Sequence, residues 1–353
     1  MKTYTKNYIL ILLSIAIMSC KTIEKKTASK QAEIETKLDS IFISLNKNGK
    51  FNGNVLVAKN DEIIYKKEFG FSSGNKKYSL NSLDRFNIGS IYKEIPAIAV
   101  MQLKEKGLLK LDDPISKYVL NLPKWSKTIS IKNLIQYTSG LPKVNWMKHK
   151  EINNEVLMND IVELKELKFN PGNNYLYTNY SPFLLSRIVE SISHKSFTEY
   201  VYQNILKPLK LKNSKFNKSF PYEDNNRMAI SFNNEYVEDN PPFTIKSSGF
   251  LFSTTTEDLF KLMEKLHSYK IINESSILFI GKTSYLNIEN MESALGQVEF
   301  KNGKITEHTH HGSSGNYESI IYRNNIKNIT AIVLTNHRNN NLHSIKNIIK
   351  EIL

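Results

Sequence analysis

Three short spacings put reactive side chains where they could act together. Ser90-Ile91-Tyr92-Lys93 sets a hydroxyl three residues before an amine. Ser90 follows Gly89 and opens a helix read on through Ile95 to Lys106, and positions i and i+3 share a helix face, so the amine can reach the hydroxyl. A serine hydroxyl is a weak nucleophile until a neighbouring base takes its proton. A lysine can be that base where burial or nearby positive charge lowers its pKa, and a helix N-terminus favours negative charge on the serine oxygen. The same spacing at Ser44/Lys47 and Ser73/Lys76 lacks this context. Tyr177-Thr178-Asn179 follows Pro171-Gly172 and precedes a helix read from Pro182, which places it on a loop that can project side chains into a cleft. Its phenol could relay a proton and its amide could hold a substrate carbonyl; the plainer reading is a Tyr-rich loop packed on the core. His310-His311-Gly312 is the one H-x-G of the chain and ends a strand read from Ile305. Gly312 would let a substrate backbone approach an edge strand, and the N–H of Ser313 could pair with that of Ser90 as an oxyanion hole.

Two other arrangements compete. His308, His310 and His311 cluster, with His308 and His310 on one strand face, and would serve a metal-dependent hydrolase. Glu307 points away from His308, however, and no neighbouring acid completes a zinc set. Gly70-Phe71-Ser72-Ser73-Gly74 matches G-x-S-x-G, but a nucleophile elbow needs a helix after it, and Asn75-Lys76-Lys77-Tyr78 has no helical period.

The elements that must position these groups fall into three stretches. Leu38, Ile41, Phe42 and Leu45 have helical spacing, and Asn54–Ala58 and Glu62–Tyr65 flank the turn Lys59-Asn60-Asp61 as a hairpin. Helices are expected at 95–106, 131–138, 182–193, 198–207 and 257–267, the last behind the capping cluster Ser253–Thr256. Strands follow at 296–300, 305–310, 317–322 and 329–335, and an amphipathic helix closes the chain from Leu342 to Leu353. The simplest architecture is α+β: one antiparallel sheet flanked by helices, built from about 35–85 and 290–353, with a helical lobe inserted at about 86–285 and a cleft between the lobes.

The 353 residues, 40% hydrophobic, suffice for one large domain. The formal charge of +14 comes mostly from scattered Lys rather than an Arg-rich stripe, so no nucleic-acid partner is expected. Lys2 and Lys6 precede the apolar run Tyr8–Met18, which suits a signal-peptide core and is short for a membrane span. Ile17-Met18-Ser19-Cys20 resembles a bacterial lipobox, and Cys20 is the only cysteine. The expectation is a signal peptide over 1–20, lipidation at Cys20, a polar tether over 21–34, a hydrolase domain over 35–353, and a place in the bacterial cell envelope held to the membrane by the lipid.

Taken in order, the three motifs resemble those of the serine β-lactamase and penicillin-binding-protein superfamily, most closely its class C β-lactamase-like branch. Further blocks are similar to that family: 51–58, 86–93, 108–118, 131–142, 177–185, Lys207-Pro208-Leu209 and 249–254. The resemblance covers roughly residues 35–350 and implies the β-lactamase/transpeptidase-like fold. It implies Ser90 as nucleophile, Lys93 as its activator, Tyr177 as general base or relay, and Asn179 in contact with substrate. It puts His310 where many relatives carry the Lys of a K-T-G triplet. A histidine is mostly neutral at pH 7, whereas that Lys offers a fixed charge to a substrate carboxylate. The resemblance therefore implies an exported peptidase- or esterase-like serine hydrolase working through a Ser90 acyl-enzyme on an ester, amide or peptide. β-Lactams and D-amino-acid peptides are within its range, and no cofactor is implied. A binding or sensor protein on the same fold is the alternative. Glu166 precedes the Y-x-N motif, the wrong order for a deacylating base, and has no assigned role.

Overall fold

The computed structural model describes residues 30–224 and 226–353; the segment expected to be a signal peptide, Cys20 and residues 21–29 of the expected tether lie outside them. Helix α1 occupies residues 30–47, so it takes in 30–34, which their polar composition had assigned to the tether. A six-stranded antiparallel sheet follows the order β2-β1-β11-β10-β9-β8. Its strands are β1 Gly53–Lys59, β2 Glu62–Phe69, β8 Gln297–Lys301, β9 Lys304–Ser314, β10 Tyr317–Asn324 and β11 Ile329–Thr335. Between the two groups run the short strands β3 Phe86–Asn87, β4 Glu151–Ile152, β5 Lys215–Phe216, β6 Thr244–Ile245 and β7 Phe252–Thr254. The helices after α1 are α2 Glu94–Glu105, α3 Ile131–Ile135, α4 Asn154–Val162, α5 Tyr180–Ser193, α6 Phe197–Val201, α7 Thr256–His267, α8 Glu274–Gly281 and α9 Leu342–Ile352.

The β1–β2 hairpin turns on Asn60 and Asp61, both at positive φ, as a two-residue turn between twisted strands requires. Side chains alternate across the sheet. Val55, Val57 and Val333 pack with Leu38 and Phe42 of α1 and Ile345 and Ile349 of α9. Leu56, Ile332 and Leu334 face the other way, into the core shared with α2 and α7. Because β11 is covered on both faces, all seven of its residues are buried and it reads as a continuous apolar run.

Strand β9 extends past His310 to Ser314, farther than its sequence suggested, because β10 pairs with it as far as Tyr317↔Ser314. Strand β8 pairs only with Lys304–Thr309 of β9. The outer edge of His310–Ser314 is thus open to the inserted lobe. Helices α4 and α8 were not expected; each begins at an Asn whose side chain accepts an N–H of the first turn.

Phe42 is fully buried, with ring centroids 5.0 Å from Phe51 and 5.6 Å from Phe69. Phe42→Ala is expected to lower unfolding free energy by about 3–5 kcal/mol in denaturant titrations. A loss under about 1 kcal/mol would show that α1 is not part of the core.

Candidate active site

Gly89–Lys93 form a 3-10 turn that runs into α2. Pro96, in the first turn of α2, has no N–H to offer the carbonyl of Tyr92, which accounts for the tighter winding upstream. Within the turn the Lys93 Nζ donates to the Ser90 Oγ at 2.9 Å. Lys93 is 4% exposed. Burial lowers its pKa to about 7, with the Glu292 carboxylate pulling weakly the other way. A large fraction of the amine is therefore neutral near neutral pH and able to take the Ser90 proton.

The Tyr177–Asn179 loop is fastened to residues 137–142. Leu176 N donates to Tyr137 O at 2.9 Å, and the Thr178 hydroxyl donates to Pro142 O at 2.6 Å. The Tyr177 ring lies 4.7 Å from the Tyr137 ring and 4.9 Å from Lys93 Nζ. Its hydroxyl is buried without a well-aligned hydrogen bond. Burial pushes the phenol upward, Ser90 as hydrogen-bonding neighbour opposes this, and Glu292 and Tyr175 add to it. Tyr177 therefore stays protonated and suits a relay better than a phenolate base. Asn179 is the N-cap of α5, yet its side chain makes no capping bond and lines the cleft instead.

The Ser90 turn lies hard against β9. A Cβ on Gly312 would meet Ile88 O at 2.1 Å and Ser90 N at 2.9 Å; one on Gly89, at φ 52°, would meet Ser313 N at 2.3 Å. Only glycine fits either position. The main-chain N–H groups of Ser90 and Ser313 thereby come together beside the nucleophile, the arrangement an oxyanion hole needs. Ser90, Lys93, Asn179 and Ser313 line one cleft of about 470 Å³. Gly312 backs it.

His310 is not in that cleft. It is 2% exposed, and its Nδ1 lies 2.6 Å from Glu94 Oε1. This corrects its expected place among the substrate-contacting residues: a short imidazole on this strand face turns to the nearest buried carboxylate. The competing set of His308, His310 and His311 is not assembled. His311 lies on the opposite face, 2.9 Å from Glu318, and the third member beside His308 and His310 is Glu94. Ser72 donates to Tyr78 O in a turn with no helix after it, and Glu166 is exposed.

Sequence reading missed Glu94 and Glu292. Glu94 had a signal: one acid within the buried apolar run Ile91–Leu103 must find a partner. Glu292 had none, since residues 282–296 lack regular structure and reach the site only because the Glu292 main chain bonds the Tyr175 hydroxyl.

Because the unfolded chain binds a proton on Lys93 between about pH 7 and 10.5 that the native state does not, the penalty of burying it grows as pH falls through that window and is constant below it. Lys93→Met is expected to raise the melting temperature at pH 7 by at least about 2 °C. A lowered melting temperature would contradict a strained, desolvated amine.

The family described as Beta-lactamase matches residues 38–350. "Putative penicillin-binding protein PbpX" of Bacillus subtilis (strain 168) is 30% identical over 268 residues, 72% of this chain and 66% of that protein. The chain thus spans about two thirds of the length of the curated relatives it matches. Among solved structures, a penicillin-binding protein from Bacillus halodurans superposes with a TM-score of 0.75 at 22% identity, covering 86% of this chain and 98% of that one. A class C β-lactamase gives 0.73 at 16%, covering 88% and 92%. The chain belongs to the β-lactamase family and has the β-lactamase/transpeptidase-like α+β fold.

Proposed function

We propose that the protein is a serine hydrolase acting by acyl transfer through Ser90. The observation that carries this reading is the 2.9 Å contact between Ser90 Oγ and a buried amine whose pKa lies near 7. The neutral amine of Lys93 takes the Ser90 proton as Oγ bonds to the substrate carbonyl carbon. The carbonyl oxygen becomes an oxyanion facing the N–H groups of Ser90 and Ser313. As the carbon–heteroatom bond breaks, the Tyr177 hydroxyl gives its proton to the leaving group and is reprotonated from Lys93. Water then displaces the acyl group from Ser90, its proton returning along the same groups. The acyl-enzyme divides one difficult displacement into two easier ones.

The cleft supports an acyl ester, amide or peptide substrate. Tyr92, Trp146, Phe220 and Phe250 give it an aromatic wall suited to an apolar group. Lys93 is the one cation among its described lining residues, and the Asp239 carboxylate stands at the rim. With His310 turned away, no fixed positive charge waits for a substrate carboxylate, which favours esterase- or peptidase-like chemistry over β-lactam hydrolysis. The lipobox-like segment at Cys20 supports export and a lipid tether in the cell envelope, with a cell-wall-derived peptide as a natural substrate source. Among the described residues no helix is long and apolar enough to cross a membrane.

A serine-directed phosphonate and a short acyl ester test the reading. The wild type is expected to be labelled and to turn over; Ser90→Ala loses both. The rate of labelling is expected to rise with pH along a single limb centred near 7, because the amine must shed its proton. Labelling that persists in Ser90→Ala refutes the assignment, and labelling of the wild type without turnover favours a sensor.

A further inference from the structure

Glu94 follows Lys93 in sequence but points away from the cleft, 1% exposed. Its Oε1 lies 2.6 Å from His310 Nδ1 and 3.3 Å from His308 Nε2, and neither its Oε2 nor His308 Nε2 has a hydrogen-bond partner. Two imidazoles and a carboxylate this close could be a metal-ligand set or a directed hydrogen-bond chain. The polarity of the neighbouring bonds decides between them.

Arg323 carries donors only, and its Nε donates to Asn325 Oδ1 at 2.9 Å. That fixes the Asn325 amide with its nitrogen outward. Asn325 Nδ2 accordingly donates to Ile305 O at 2.9 Å and faces His267 Nδ1 at 3.1 Å. His267 Nδ1 must therefore accept. Burial, helped by the Arg323 charge, holds His267 well below its usual pKa, so its single proton sits on Nε2. This proton points at His308 Nδ1, 3.0 Å away, which must accept in turn. The His308 proton is left on Nε2, 3.3 Å from Glu94 Oε1 but outside hydrogen-bonding geometry. A protonated Nε2 has no lone pair for a metal. The carboxylate instead accepts the N–H of His310 at 2.6 Å and lies beside that of His308.

We propose that Glu94 is a positioning residue: packed against His308, which is itself oriented through Arg323, Asn325 and His267, its carboxylate ties His310 of β9 to the first turn of α2 and so fixes the gap between the Ser90 turn and the Gly312–Ser313 edge. The bond joins the residue four after the nucleophile to the residue two before Gly312. It braces both sides of the contact in which the Ser90 and Ser313 N–H groups meet. The role in turnover rests on the serine-hydrolase reading above; the direction of the chain does not.

Three variants test this in the full chain. Glu94→Leu removes the acceptor, and kcat on the short acyl ester is expected to fall about 100-fold with KM little changed, as for a small misplacement of reacting groups. Glu94→Gln keeps an oxygen that can accept the His310 N–H and is expected to recover most of that loss. Asn325→Asp, at the far end of the chain, makes position 325 an acceptor. At a pH where His267 stays neutral, it must then carry its proton on Nδ1, and His308 on Nδ1 as well. Imidazole 15N spectra are expected to place the His308 proton on Nε2 in the wild type and on Nδ1 in Asn325→Asp, with kcat lowered in the latter. A folded Glu94→Leu with kcat within about threefold of wild type overturns the proposal, since a brace of purely structural value moves stability and not kcat. If Glu94→Leu does not fold, a wild-type His308 proton on Nδ1, or an Asn325→Asp with wild-type kcat, overturns it instead. The spectra need no turnover, so a wild type without esterase activity would sink the hydrolase reading while leaving the chain's direction measurable.

Discussion

An amine kept out of water next to a hydroxyl governs how the site is built. An ammonium group is strongly hydrated, and removing it from solvent destabilises the charged form unless an anion is close. Lys93 has a hydroxyl at 2.9 Å and aromatic rings around it, with the Glu292 carboxylate only near enough to pull weakly. The fold tolerates this because α2 is anchored on every side. Its apolar residues from Ile95 to Leu103 are almost all buried, and it packs on α5 and α8 in the inserted lobe. The strain of one desolvated amine is small beside that burial and is concentrated where proton transfer requires it.

The same helix start must also touch the sheet. Gly89 and Gly312 let two main-chain segments approach so closely that any side chain would collide. Ser319 Oγ donates to Ile88 O at 2.7 Å to hold the pair together from β10. Farther along, Glu94 and His310 make the second tie. The cleft sits where three independent pieces of chain converge: the α2 start, the loop fastened to residues 137–142, and the free edge of β9. Each piece is rigid for a reason of its own, which is what precise spacing of reacting atoms demands.

Much of this arrangement is legible in the sequence. The hairpin at Asn60-Asp61, the strands at 317–335 and the amphipathic ends of the chain follow from periodicity and turn chemistry. Ser90 and Lys93 stood out because the spacing fell at a helix start. What could not be read depended on contacts distant in sequence. His310 looked like a cleft residue because its strand seemed to stop there; pairing with β10 carries β9 to Ser314 and leaves the ring facing Glu94, 216 positions away. Helix α8 was hidden because Ile277-Leu278-Phe279-Ile280 is too short to show a period and resembles a strand. Glu292 came to the site through main-chain bonds to Tyr175, for which side-chain chemistry gives no clue. Glu94 was the one legible omission, a buried acid at the start of an apolar helix.

Burial keeps a large fraction of Lys93 neutral near physiological pH. Direct titration of its side-chain nitrogen by NMR in lysine-labelled protein, with Lys93→Arg to assign the signal, measures this without any substrate. A midpoint at about 7 is the expected result; a midpoint close to the ordinary lysine value of about 10.4 would contradict the account.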